Sequence, residues 1–276
     1  MDESKYLSGE EYFTIVEELC AYGLEELRLT GGEPLLRKSF SEITTKLASL
    51  PLKKIGLTTN GIFLDKHLEE LKRNRIHYLN ISLDSLDEAT FQKITFGKSH
   101  QRILRNIDLA RDLGFKIKIN VVAMKGINDH EFINFAEYSQ KNGIEVRFLE
   151  MMRIGYACAN QKDQFISAAQ IKDILGARYT FSSLGADKDS TSFNYKLSNG
   201  AQIGFIASES QAFCGQCSRW RLSADGIMRA CLMKDDGHSV KNKSALERDA
   251  VYHSLLGMKP FMRPLEVTHM MNAIGG

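Results

Sequence analysis

Five short apolar segments, each closing on a polar or glycine-rich turn and followed by a helical stretch, constrain this chain more than any other feature. They span residues 26–30, 54–59, 77–83, 116–124 and 145–150. Helical patterns lie between them over 39–49, 64–73, 100–113 and 128–141, and another precedes them at 7–20, where Ser8 and Glu11 form a capping box and Gly23 a stop. Short strands joined by helices pair in parallel, because a parallel neighbour is reached only through a crossover, and such crossovers are right-handed. The fold class is therefore α/β. The strands end at Thr30-Gly31-Gly32-Glu33, Thr58-Thr59-Asn60-Gly61, 82–85, Lys125-Gly126 and Glu150-Met151-Met152. In a parallel barrel that end carries the active site. A doubly wound open sheet is the alternative, which periodicity does not separate from a barrel.

After Met152 the alternation stops. Residues 155–164 read as loop and 167–175 as helix, with short strands at 178–181, 193–197 and 201–206 and a last helix at 244–256. The expected division is a barrel portion over 1–152 and an extension over 153–276.

The extension holds the chemistry-bearing stretch Phe213-Cys214-Gly215-Gln216-Cys217-Ser218-Arg219-Trp220-Arg221, followed by an Asp225-Gly226 turn and Cys231. Cys214 and Cys217 form a C-x-x-C pair, a spacing at which two thiolates of one tight loop serve one site. Three thiolates leave one coordination position open, which suits an iron–sulfur cluster with a free iron better than a closed zinc site; zinc with His238 as fourth ligand is the competing assignment. Arg219 and Arg221 alternate around Trp220, so on an extended segment both guanidinium groups face one side, ready for phosphate or carboxylate. Taken alone, they also fit a solvated strand face.

Five cysteines in 276 residues do not make a disulfide framework, and clustering points to metal in a reducing compartment. Cys20 and Cys158 stand apart as small hydrophobes. A net charge of +2 excludes a general polyanion binder, so no nucleic-acid partner is expected and any anion site must come from local clustering. No apolar run reaches the length of a membrane span and the N-terminus is too polar for a secretory signal, so no membrane partner and a cytoplasmic location are expected.

Arg28-Leu29-Thr30-Gly31-Gly32-Glu33-Pro34-Leu35-Leu36-Arg37, Thr58-Thr59-Asn60-Gly61, Asn80-Ile81-Ser82-Leu83-Asp84-Ser85-Leu86, the C-x-x-C-x-R-x-R stretch and the terminal Gly275-Gly276 occur in that order. Together they resemble the radical S-adenosylmethionine GTP 3',8-cyclases of molybdenum cofactor biosynthesis, over essentially the whole chain. The resemblance implies an incomplete parallel (β/α) TIM-type barrel whose open side is closed by a cluster-binding extension. It implies conversion of GTP to a cyclic pyranopterin precursor, with S-adenosylmethionine and 4Fe-4S clusters as cofactors. Carried over residue by residue, Cys214, Cys217 and Cys231 hold a 4Fe-4S cluster that meets the guanine. Arg28, Thr58, Lys118, Arg219 and Arg221 contact GTP, while Gly32, Ser82 and Met152 contact S-adenosylmethionine. A homodimer and the next enzyme of the molybdopterin pathway are the implied protein partners. Taken alone, Gly31-Gly32 also reads as a turn, Ser82 as a capping residue, Met152 as core packing and Lys118 as a solvent-facing lysine.

One departure matters. The family's radical-forming cluster is held by C-x-x-x-C-x-x-C on the first barrel strand, upstream of the helix that starts here near Leu7, and no such motif occurs in these residues. The expectation is a truncated sequence with its first strand missing, inactive by itself; a non-catalytic nucleotide-binding iron–sulfur or zinc protein is the competing function.

Overall fold

A computed structural model describes residues 5–155, 157–185, 190–212, 214–260, 262 and 264, apart from the side chains of residues 158, 160 and 216. The terminal Gly275-Gly276 and Phe213 lie outside the described residues. Strands β1 (Glu26–Leu29), β2 (Lys54–Thr59), β3 (Ile76–Ser82), β4 (Lys116–Ala123) and β5 (Glu145–Glu150) lie side by side in sequence order, all parallel. A doubly wound sheet reverses its strand order partway, and these five strands do not. The sheet continues through β8 (Gln202–Ile206), parallel to β5, and then through β7 (Phe193–Leu197) and β6 (Phe181–Ser183), both antiparallel. It is a mostly parallel partial barrel, as expected, with β1 and β6 as its edges.

The crossovers carry α2 (Phe40–Leu47), α3 (Leu68–Arg73), α4 (Glu88–Thr95), α5 (His100–Asp112) and α6 (Phe132–Asn142). Strand alternation sorts the side chains between two faces. On β4, Ile117, Ile119, Val121 and Ala123 are buried, while the intervening Lys116, Lys118, Asn120 and Val122 are more open. The first set joins Leu57, Leu79, Ile81, Val146 and Phe148 in one apolar core with Ile43, Leu71, Ile107, Phe132 and Phe135 of the helices. The opposite face of the sheet is largely polar, so the barrel interior is a lined space and not a second core.

A smaller sheet of β9 (Arg221–Leu222), β10 (Ile227–Arg229) and β11 (His238–Ser239) packs with α9 (Ala245–Gly257) against the opening helix α1 (Gly9–Ala21). Leu7 and Ile15 share this second core with Met228, Val240, Tyr252 and Leu255. The Leu7 amide donates to the Ala224 carbonyl (2.7 Å), and Lys241 Nζ to the Tyr6 carbonyl (3.0 Å).

The Ser8–Glu11 capping box is present, and Gly23 takes the left-handed φ of 91° that stops α1. Three details differ from expectation. Residues 157–164 form α7 (Ala157–Gln164) where a loop was expected; α8 (Ala168–Gly176) follows behind a second capping box at Ser167. Helix α4, capped by Asp87, occupies a segment between the turn at 82–85 and the helix at 100–113 to which no element was assigned. The strand expected at 178–181 is displaced to β6, because Arg178 and Tyr179 still donate their amides to Leu175 at the end of α8. Among the described residues no helix is long and apolar enough to cross a membrane.

Candidate functional site

The polar face of the partial barrel is arranged in tiers set by strand register. One tier runs Arg28, Gly56, Tyr78, Lys116; the next Thr58, Asn80, Lys118, Glu145; the third Ser82, Asn120, Arg147, Gly204. Two of the tiers pair an arginine with a glycine on the neighbouring strand. Arg28 lies over Gly56, where an added Cβ would come 3.0 Å from Nη1, and Arg147 lies over Gly204. A long cationic side chain can cross an adjacent strand only where that strand has no side chain of its own.

The arginines converge. Burial pushes Arg147 down to about 10, Glu145 opposes this and Arg28 adds to it. Burial likewise lowers Arg221, with Arg219 and Arg28 contributing in the same direction and Cys217 and Cys231 against it. Arg28, Arg147, Arg219 and Arg221 therefore share one electrostatic neighbourhood with two of the cysteines. Arg147 Nε donates to Asn120 Oδ1 (3.1 Å), which aims the guanidinium, while Nη2 is buried with no hydrogen-bond partner among the described residues. Lys118 pairs with Glu145 at 2.9 Å and keeps a side-chain exposure of 40 %. Thr58 sits on the same face, half-buried and level with Asn80.

Cys214 opens a single 3-10 turn, Cys214–Gln216, closed by the Cys217 amide donating to the Cys214 carbonyl (3.2 Å). Trp220 stacks on Tyr252 (6.4 Å, 27°) and, with Leu222, anchors the stretch in the second core, which turns Arg219 and Arg221 to the other side as alternation requires. Burial alone would raise the Cys217 thiol, but donation from the Arg219 amide and the charges of Arg219 and Lys259 bring it below its ordinary value. Cys231 Sγ accepts from the Met233 amide (3.3 Å) and packs with Met152, Ile154 and Met233.

Among the described residues no three His, Cys, Asp or Glu side chains stand ready to hold a single metal ion. A 4Fe-4S cluster makes a different demand, because each thiolate binds a different iron and the sulfurs spread around the cluster. The donor set fits that demand: Cys217 and Cys231 face the same cations, Arg221 and Lys259. Arg229, two positions before Cys231 and paired with Arg221 across β9–β10, buries Nε and Nη1 with no partner among the described residues, donors suited to an anionic group.

The three residues expected to meet S-adenosylmethionine lie at the carboxyl ends of alternate strands: Gly32 after β1, Ser82 ending β3 and Met152 after β5. Gly31 takes a φ of 140°, and a Cβ on Gly32 would meet nothing within 4 Å, so the backbone there is open to a ligand. Glu33 has an internal task. It accepts from Thr59 Oγ1 (2.8 Å), the Asn60 amide (2.7 Å) and the Leu35 amide (3.1 Å), which locks the first two strand-end turns together. Glu131 does the same for the turn after β3, accepting from Ser85 Oγ (2.6 Å) and the Leu86 (2.7 Å) and Asp87 (3.1 Å) amides. Glu150 does it for the segment leading to Cys214, accepting from the Ala168, Glu209 and Ser210 amides, each at 2.8 Å.

Three cations of this constellation, Arg147, Arg229 and Lys259, escaped the sequence reading. Arg147 carried a signal, since it stands between Val146 and Phe148 in the phase that faces away from the core. Lys259 carried none, because only tertiary packing brings it to the cysteines. Cys20 packs against the main core as a small hydrophobe.

Residues 1–139 match the Radical SAM superfamily and residues 144–257 match Molybdenum Cofactor Synthesis C. The chain is 54 % identical over 276 residues to GTP 3',8-cyclase of Synechocystis sp., spanning all of this chain and 84 % of that one. It is 37 % identical over 248 residues to GTP 3',8-cyclase of Aquifex aeolicus, 88 % of this chain and 76 % of that one. Among solved structures, Streptococcus suis SuiB bound to S-adenosylmethionine superposes with a TM-score of 0.63 at 14 % identity, over 90 % of this chain and 60 % of that one, a likeness of fold.

Proposed function

The chain belongs to the GTP 3',8-cyclase family of radical S-adenosylmethionine proteins, and from that membership we propose that its arginine-lined barrel interior receives the triphosphate of GTP while the cysteine stretch presents an iron–sulfur cluster to the guanine. One observation supports this reading above the others: Arg28 acts electrostatically on both Arg147 and Arg221, and Arg221 also meets the charge of Arg219 beside Cys217 and Cys231. Like charges held this close repel, and a polyanion among them turns that repulsion into shared attraction.

In this reading Arg28, Arg147, Arg219 and Arg221 bind phosphate oxygens, with Thr58 and Lys118 completing the tier between them. Lys118 exchanges Glu145 for the nucleotide. Cys214, Cys217 and Cys231 hold a 4Fe-4S cluster, which when bound supplies an iron with an open coordination position for a group of the base. Gly32 offers open backbone, Ser82 a hydroxyl and Met152 an apolar wall to S-adenosylmethionine. Glu33, Glu131 and Glu150 hold the rim turns that carry these groups. The 276 residues contain no C-x-x-x-C-x-x-C motif, and no radical-forming step is assigned to them.

Calorimetry with GTP, GDP and guanosine tests the reading. Affinity should fall with each phosphate removed, and Arg147→Ala or Arg219→Ala should weaken GTP binding by roughly 10- to 100-fold, the worth of a charge-assisted hydrogen bond. Equal affinity for guanosine and GTP would sink the phosphate assignment. Anaerobic reconstitution tests the cluster: about four irons per chain supports it, and one zinc without iron refutes it.

A further inference from the structure

Lys259 lies beyond α9 in sequence yet reaches back to the cysteine stretch. Its Nζ is 3.8 Å from Cys217 Sγ and donates to the Arg219 carbonyl. Both Cys217 and Cys231 are within its electrostatic reach, as is the Arg219 guanidinium, and the lysine is only partly exposed. The position is imposed from a distance. Helix α9 is moored to α1 by Arg248 and Tyr252, which both reach Glu18, and the Met258 amide caps the helix by donating to the Leu255 carbonyl. The chain therefore arrives at Lys259 from a fixed helix end. The other donors described at these sulfurs are the Arg219 amide and side chain at Cys217 and the Met233 amide at Cys231. Lys259 brings a further side-chain cation, from a different element, to the same place.

We propose that Lys259 is a second-sphere cation of the cysteine site: its ammonium bridges the Cys217 sulfur and the Arg219 carbonyl, raises the reduction potential of the iron–sulfur cluster held there and fixes the turn that aims Arg219. This rests on the cluster reading. The physical reason is that reduction adds negative charge to the cluster, and a neighbouring ammonium that hydrogen-bonds a ligating sulfur stabilises the reduced form more than the oxidised one. A lysine suits the task because its compact charge and three donors serve a sulfur and a carbonyl at once.

Reconstituted wild-type chain, Lys259→Met and Lys259→Arg are compared by iron content and by a redox titration followed by electron paramagnetic resonance. The midpoint of Lys259→Met is expected to shift to more negative potential at unchanged iron content, with Lys259→Arg restoring most of the shift. Loss of iron from Lys259→Met alone, with Lys259→Arg retaining it, supports the same assignment through cluster affinity. Coincident midpoints in all three proteins overturn the role of Lys259 and leave the cluster reading standing. Loss of iron from both variants assigns the residue to packing and overturns the proposal as well. A wild-type chain that takes up zinc and no iron removes the cluster reading itself, and Lys259 falls with it.

Discussion

Gly204 lies directly across the β5–β8 ladder from Arg147, and a Cβ at Gly204 would stand 2.9 Å from Arg147 Cγ and 2.8 Å from Asn194 Oδ1. The clash involves the stem of the arginine and not its mobile end, so the side chain cannot swing clear without losing its hydrogen bond to Asn120. Gly204→Ala should therefore destabilise the fold by about 1–3 kcal/mol, the usual cost of overpacking, and weaken GTP binding in parallel. At Gly56 the crowding atoms are the guanidinium end of Arg28, the nearest at 3.0 Å, so Gly56→Ala should cost less. Chemical denaturation and GTP calorimetry on both variants check the order; an equal or reversed ranking contradicts it.

Glu150 is 2 % exposed and binds three amides and the Ser210 hydroxyl. Glu150→Gln keeps the shape but turns an N–H2 group toward donors, leaving at least one buried amide unpaired. A loss of about 1–3 kcal/mol is expected, with the segment before Cys214 loosened first. Hydrogen exchange at residues 208–212 should rise more than exchange in β2 or β3, and a uniform rise would count against a local role.

Asp84 accepts from the Val122 amide (2.8 Å), and burial pushes its carboxyl up to about 6 from 3.8. Between those values the folded chain keeps a proton that the unfolded chain has released, so stability falls as the pH rises through this window. The shift caps the effect at about 3 kcal/mol, and partial exposure of the side chain brings it lower. Asp84→Asn keeps an oxygen for the Val122 amide and removes the ionisation. Its denaturation midpoint should gain on that of the wild type between about pH 4 and pH 7; a constant difference across that range argues otherwise.

Glu18 titrates in the opposite sense. Hydrogen bonds from Arg248, against some burial, hold its carboxyl below 4.5, with Tyr252 helping. Its stabilisation is present above the unfolded value and is lost as the pH falls through the folded one. Glu18→Gln should cost about 1 kcal/mol near neutral pH and little in acid. Urea midpoints of the two proteins should converge as the pH drops below 4.5.

The elements that could be read from sequence are those whose signals are local. β2 and β5 fall where alternation puts them, and the capping boxes at Ser8, Ser167 and Ser244 each mark a helix start. Helix α7 was hidden because Ala157–Gln164 has no apolar stripe, although its Ala, Gln and Lys residues are good helix formers. Helix α4 was missed because it is short, eight residues, and its start is marked by the Asp87 cap alone. The site divides in the same way. Alternation around Trp220 gave the shared side of Arg219 and Arg221, while Arg147 was missed although the phase of β5 marks it. The Arg28–Gly56 and Arg147–Gly204 pairs and the approach of Lys259 depend on register between strands and on the docking of α9, which no local pattern encodes.

The clasp between the opening helix and the extension has a consequence for how the chain is made. Glu18 meets Arg248 across a separation of 230 residues, and Leu7 and Ile15 share their core with Met228, Val240, Tyr252 and Leu255. On a translating ribosome at about 5–20 residues per second, the side of α1 that carries Leu7 and Ile15 waits roughly 10 to 50 seconds for this partner surface, although Val16 on the same helix joins the main core. That side of the helix needs shielding in the interval, and the Ser8–Glu11 cap keeps the helix start satisfied while it waits.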